Sequence, residues 1–214
     1  MDGVIAVGLG SDNKLLEHIA SFKLPMVVVN RFFPVNKYTG CVRADMSQWV
    51  LDEIAALKQL QCNNILVLNK SSNSDAGREI AAALENITKQ SSNQVDMITM
   101  SDNLLPQLLN LLHPVLQYDG FIINGSEGNL LQQLATQLDI PQSRLTISHF
   151  SSTRKPDIGG RSWYRNGHTM GVQGWELLHD MLTGRSEGRE IRLPVVSPRQ
   201  HLRAESKSEY GFDL

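Results

Sequence analysis

Two cysteines, Cys41 and Cys62, are all that 214 residues hold, with no CxxC spacing and no histidine pair beside them. Neither a disulfide framework nor a zinc site is implied, and a reducing cytoplasm is the plain expectation. The six histidines show neither HExxH nor paired spacing, so no metal ligand set is expected. No GxxxxGK(S/T) phosphate loop occurs, and no apolar run approaches the length of a membrane span. Charge of one sign is also lacking: 20 Lys and Arg stand against 22 Asp and Glu, with acids mixed among the bases, so there is no basic stripe for nucleic acid. The opening MDGVIAVGL has no basic segment before its short apolar run, so nothing there directs export. With 41% hydrophobic and 20% charged residues, the chain has ordinary globular material for one large domain or two small ones.

What is present is a repeated unit. Residues 2–31 read as an apolar run, DGVIAVG, a polar turn, a helical stretch KLLEHIASF and a second apolar run, LPMVVVNR. Continuous β-branched runs flanking an amphipathic segment are how strands buried on both faces look, so this is a strand-helix-strand unit of a parallel sheet. Residues 118–150 repeat it as YDGFIING, SEGNLLQQLATQLDIP and SRLTISHF, with Asp119-Gly120 answering Asp2-Gly3 and Pro141 answering Pro25. In such sheets ligands sit beyond the carboxyl ends of the strands, so the pattern points to a ligand before it points to an enzyme. The chain begins inside a strand, with one Met where a cap would stand, which suggests that a preceding segment has been removed.

Along the chain, helices are expected over residues 11–22, with Leu15, Leu16, Ile19 and Phe22 at helical spacing, and over 47–61, with Val50, Ile54, Leu57 and Leu60 inward. A short strand, CVRAD, lies between them, after the loop FFPVNKYTG. NNILVLN is the next strand, REIAAALENITKQ a helix, QVDMITM a strand, and NLLPQLLNLLHPVLQ a helix with Pro106 in its first turn. After the repeat, STRKPDIGGRS reads as a loop, residues 166–183 as a helix stopped by Gly184, and REIRLPVVS as a last strand before a loosely ordered polar tail. Strand-helix alternation of this kind argues for an α/β, doubly wound architecture.

Two local motifs compete with plainer readings. Gly8-Leu9-Gly10 follows a strand and precedes a helix, as a dinucleotide fingerprint would, but Asn13 stands where close helix-strand approach wants glycine. Asn124-Gly125-Ser126-Glu127-Gly128 resembles a nucleophile elbow, with Asp157 and His168 downstream in hydrolase order, but Asn124 replaces the first glycine. The plainer reading of Ser126 is a helix N-cap.

Taken in order, DGVI, LPMVVVNR, VRAD before a helix, a strand ending in Asn124, IP..RLTISHF, MGVQGWELLHDMLTG and LPVVSPR resemble the effector-binding core of the lactose-repressor/galactose-repressor family over residues 1 to about 203. The resemblance implies a type I periplasmic-binding-protein-like fold: two lobes of doubly wound parallel sheet, the first lobe incomplete, with a small molecule in the cleft. It assigns residues 1–45 and 160–190 to the N-terminal lobe and 46–159 and 191–203 to the C-terminal lobe, leaving 204–214 as tail. It carries over Asn30, Arg31, Ser71, Arg78, Asn124 and Ser151 as ligand-binding positions. Asn30, Gly125 and Ser151 stand where the family has acids, and Ala81 where it has the glycine after Arg78. With Arg31 and Arg78 then lacking matched acids, and Lys70 ending its strand, the expected effector is anionic or sugar-like. The resemblance further implies a regulator that is not an enzyme, needs no cofactor, pairs as a homodimer, and touches DNA only through a helix-turn-helix headpiece outside this chain. A periplasmic transport receptor and a small hydrolase using Ser126 are the other two readings of the same residues.

Overall fold

The computed structural model describes residues 2–7, 14–70, 74–88, 95–100, 118–125, 136, 146–151 and 161–197. Its elements run β1 (Val4–Val7), α1 (Lys14–Ser21), β2 (Met26–Val29), β3 (Thr39–Ala44), α2 (Met46–Gln59), β4 (Ile65–Lys70), α3 (Asp75–Thr88), β5 (Val95–Met100), β6 (Gly120–Asn124), β7 (Thr146–Ser151), β8 (Arg161–Tyr164), α4 (Gly167–Leu182) and β9 (Glu190–Leu193). The helix expected over NLLPQLLNLLHPVLQ, the stretch SEGNLLQQLATQLD apart from Thr136, the Gly8-Leu9-Gly10 turn, Asp157 and the tail lie outside the described residues.

Residues 1–45 and 166–195 form one compact unit, and 46–165 with 196–214 form another. The first holds a parallel sheet ordered β1-β2-β3-β9. Strand alternation splits β2 between two layers. Met26 and Val28 join Ala6, Leu16 and Phe33, with Ile19 and Ala20 of α1 packed against them, while Val27 and Val29 meet α4. That second layer is close because Gly174 lets it be: a Cβ there would lie 2.8 Å from Val29 Cγ2. Gly40 of β3 does the same from the strand side, where a Cβ would lie 2.6 Å from Leu177 Cδ2. Helix α4 starts as the sequence expects, with Asn166 Oδ1 accepting from Thr169 N–H at 3.0 Å. It ends at Thr183 followed by Gly184 at φ +70°, a left-handed stop that glycine takes without steric cost.

The second unit holds the sheet β5-β4-β6-β7-β8, again parallel throughout. Strand β6 is buried along its whole length, as are Ile65, Leu66, Val67 and Leu68 of β4. Asp119 explains one of the repeated Asp-Gly pairs: its carboxylate accepts from the N–H groups of Asn63 and Asn64, both at 3.0 Å, fixing the entry to β4 beside β6. The glycines explain the rest. A Cβ on Gly120 would crowd Cys62 and Leu57, and one on Gly3 would lie 2.9 Å from Leu178, so each marks the start of a strand pressed by a helix.

Two boundaries differ from expectation. Residues 161–164, of which 161–162 are expected in a loop and all four are expected in the first lobe, form β8 at the edge of the second sheet, where Arg161 finds a buried carboxylate. The last strand, expected in the C-terminal lobe, pairs instead with β3 in the first sheet. Arg43 on β3 binds Glu190 on β9 through its Nε, which ties the two strands together.

Candidate functional site

The second sheet changes direction between β4 and β6: β5 lies on one side of β4, and β6, β7 and β8 follow on the other. Where strand order reverses, the helices leave to opposite faces and a crevice opens at the carboxyl ends. Two asparagines stand in register near the carboxyl ends of these strands, Asn69 next to last in β4 and Asn124 last in β6. Asn124 Nδ2 donates to Asn69 Oδ1 at 2.9 Å, and Asn69 Nδ2 donates to the Gly77 carbonyl of α3 at 2.8 Å. Both side chains are buried, so the amides satisfy one another in place of water. Asn124 thus lies at the switch point. Its partner Asn69 was missed, although NNILVLN ends on it as GFIIN ends on Asn124.

The other expected ligand positions are distributed as follows. Asn30 sits directly after β2 with φ 66°, a left-handed conformation that asparagine tolerates better than most residues, and its N–H donates to the Val42 carbonyl at 2.7 Å. Arg31 follows it, and its carbonyl accepts from the Cys41 thiol at 3.0 Å. Asn30 and Arg31 belong to the first unit, while Ser71, Arg78, Asn124 and Ser151 fall in the second. Ser71 lies outside the described residues. Ser151 ends β7 in register with Tyr164, and Lys70 ends β4.

Arg78 corrects the expectation of a guanidinium without an acid. It sits in the first turn of α3 and its guanidinium binds Asp75, three residues earlier. This is helical spacing that places both side chains on one face. The same turn is capped by Ser74, whose Oγ accepts from Gly77 N–H at 3.0 Å.

A second group of side chains at the carboxyl ends was not singled out from sequence. Phe150, buried near the end of β7, stands in register with Trp163 on β8, and the guanidinium of Arg165, just past β8, lies 5.1 Å from its ring centre. Trp49, in the first turn of α2, lies 5.5 Å from the same ring. Burial lowers the pKa of Arg165. Next to Phe150, His149 is 2% exposed, and burial lowers its pKa too. The signal available beforehand was the alternation Arg161, Trp163, which puts both side chains on one face of a strand, with Arg165 two positions further on.

Among the described residues no group of three or more His, Cys, Asp or Glu side chains could hold a metal ion, and no helix is long and apolar enough to cross a membrane. His168 stands in the first turn of α4, exposed.

No protein-family model matches this sequence, and no curated protein matches it either. Solved structures do match. The chain is similar to a LacI transcriptional regulator from Lactobacillus brevis at 18% identity and a TM-score of 0.68, covering 92% of this chain and 78% of that one. It is also similar to a periplasmic binding protein/LacI transcriptional regulator from Alkaliphilus metalliredigens complexed with D-xylulofuranose, at 14% identity and a TM-score of 0.65, over 92% and 76%. A third is the Cra transcriptional dual regulator from Pseudomonas putida in complex with fructose 1-phosphate, at 13% identity and a TM-score of 0.65, over the same shares. With two parallel sheets and interleaved helices, the chain has the α/β fold of type I periplasmic-binding-protein-like regulator domains.

Proposed function

We propose that this chain is the small-molecule-sensing domain of a LacI-type transcription regulator, working in the cytoplasm as a homodimer and reaching DNA through a headpiece outside this sequence. The observation that carries the reading is the pair Asn69 and Asn124, which places hydrogen-bonding amides at the switch point of the second sheet, where folds of this kind receive ligands. Two regulators that share the fold hold a sugar and a sugar phosphate, so these are the first compounds to try. Ser71, after β4, and Ser151, at the end of β7, are further proposed ligand contacts of the second unit, and Asn30 and Arg31, after β2, are the proposed ligand positions of the first.

The test is a thermal-shift and calorimetry panel of pentoses, hexoses and their monophosphates on the purified chain, run beside Asn124→Ala. At least one compound should raise the melting temperature, and the variant should weaken that compound at least about tenfold, the cost of roughly one hydrogen bond to a polar ligand. A panel in which nothing binds, or in which Asn124→Ala binds unchanged while keeping the wild-type circular dichroism, overturns the reading. Self-association is expected from light scattering at micromolar concentration, and a clean monomer there removes the dimer. A mobility shift on a discrete DNA site with this chain alone would contradict the placement of DNA contact elsewhere.

A further inference from the structure

Helix α2 lies against the second sheet, and two of its residues four positions apart, Trp49 and Glu53, reach β7 and β8. Two arginines stand four positions apart at the start of β8 and just past its end, Arg161 and Arg165. At one level the match is complete: Arg161 donates from Nε and Nη2 to the two carboxylate oxygens of Glu53, each at 2.9 Å, and the Glu53 side chain is only 1% exposed. Past the carboxyl end of β8 an arginine recurs, and no carboxylate pairs with it among the described residues. The α2 residue beside Phe150 at that end is Trp49, an aromatic and not an acid.

Arg165 has no ion-pair or hydrogen-bond partner among the described residues, and it is only partly exposed. Trp49 is 4% exposed, and its indole N–H has no acceptor among the described residues. A buried donor without an acceptor is costly, as is a guanidinium drawn out of water without a counter-charge. Both costs fall on side chains that flank Phe150 at the ligand-receiving end of the sheet.

We propose that Arg165 and Trp49 form an oxyanion-binding subsite against Phe150, which anchors the phosphate or carboxylate group of this domain's small-molecule ligand. The guanidinium supplies a planar fork that bonds two oxygens of one anion, and the indole N–H supplies a further donor. The ligand's anion stands to Arg165 as Glu53 stands to Arg161. Arg78, already bound to Asp75, is not this anchor. The part of the proposal that names a ligand rests on the sensing reading above; the subsite itself does not.

Inorganic phosphate, gluconate, fructose 1-phosphate and fructose serve as probes, titrated by calorimetry and tryptophan fluorescence into wild type, Arg165→Met, Arg165→Lys, Trp49→Phe and Arg78→Ala. Phosphate should bind wild type in the millimolar range and weaken with added salt. Arg165→Met should lose about ten- to a hundredfold, and Trp49→Phe severalfold. Arg165→Lys should recover part of the loss, which shows that the site needs charge and not merely packing, and Arg78→Ala should bind as wild type does. The relative strength of gluconate and fructose 1-phosphate tells a carboxylate from a phosphate site. If fructose binds as tightly as fructose 1-phosphate, or if Arg165→Met and Arg165→Lys both bind phosphate like wild type, the subsite is overturned while the sensing reading stands. If phosphate binds through Arg165 but no sugar-bearing compound improves on it, the subsite stands and the sensing reading falls.

Discussion

The two sheets follow one building rule and differ in a single respect. In the first, chain order and spatial order agree from β1 to β9, so every step moves the same way. In the second, the chain steps out from β4 to β5 and then returns to the far side of β4. That reversal brings Asn69 and Asn124 together at adjacent strand ends, whereas the candidate residues of the first sheet, Asn30 and Arg31, hang on the loop after β2. The sheets also close differently. Edge strand β1 leaves Ile5 37% and Val7 61% exposed, while β4 and β6 at the centre of the second sheet keep their apolar residues dry. The lesson is that one sheet holds its polar ends by side-chain bonding and the other by backbone conformation.

The sharpest way to break this comparison is through the ion pairs. Arg161→Met strands the Glu53 carboxylate, 1% exposed, inside the second unit and should cost about 3 to 5 kcal/mol. Glu190→Gln in the first unit should cost less, about 1 to 3 kcal/mol, because Arg43 keeps its contact with Phe32 and the replacement amide still accepts a bond. Urea unfolding followed by tryptophan fluorescence measures both, and equal losses would erase the distinction.

Packing comes next. Gly174→Ala forces a methyl group to 2.8 Å from Val29 Cγ2 and should cost the first unit about 1 to 3 kcal/mol. Gly171→Ala, three residues earlier on α4 with open space around it, should be neutral or stabilising. A thermal-melt pair decides this, and equal changes in both variants would mean that close approach to Val29 does not govern Gly174.

A smaller effect separates the strand ends. Asn30 holds φ 66°, so Asn30→Ala should lose about 1 kcal/mol, while Asn30→Gly should lose little. If both variants weaken the ligand equally at unchanged stability, the Asn30 amide is a contact and not only a turn residue.

The smallest effects are those of pH, and they differ in where they begin. Burial lowers the pKa of His149, so the unfolded chain takes up its proton first as pH falls, and stability contributed above the ordinary 6.5 is lost below it. For Glu190, burial alone would raise the pKa, but Arg43 and Arg192 bring it below 4.5, so its contribution is present above that value and fades only at lower pH. The second unit should therefore soften first on acidification. Melting temperatures between pH 7 and 4 for wild type and His149→Phe test it, and identical slopes for the two would remove His149 as the cause.

How much of this was legible in the sequence depends on how local its cause is. The β-branched runs of β2, β4 and β6, the alternation that fixed the α/β fold, and the Asn166 and Gly184 ends of α4 all rest on nearest-neighbour chemistry. Strand β8 was only faintly legible, through the alternation of Arg161 and Trp163, since the burial of its leading arginine makes sense only beside Glu53, over a hundred positions away. The sheet to which β9 belongs was hidden for the same reason, being set by the meeting of Arg43 and Glu190. In the site, Asn124 was found through its strand end. Asp75 stood in plain view three residues before Arg78, and helical spacing alone could have predicted their pairing.

The chain of amides at the switch point also has a polarity. Gly77 offers α3's carbonyl oxygen, which can only accept, so Asn69 must turn its nitrogen toward it and its oxygen toward Asn124. Asn124 in turn must present nitrogen to Asn69, as it does. A main-chain oxygen two side chains away therefore dictates which way up the last amide stands, and a group that approaches its remaining oxygen has to bring a hydrogen of its own. An Asn124→Asp change would keep the shape of that amide and reverse the message at its inner end, setting one oxygen against another.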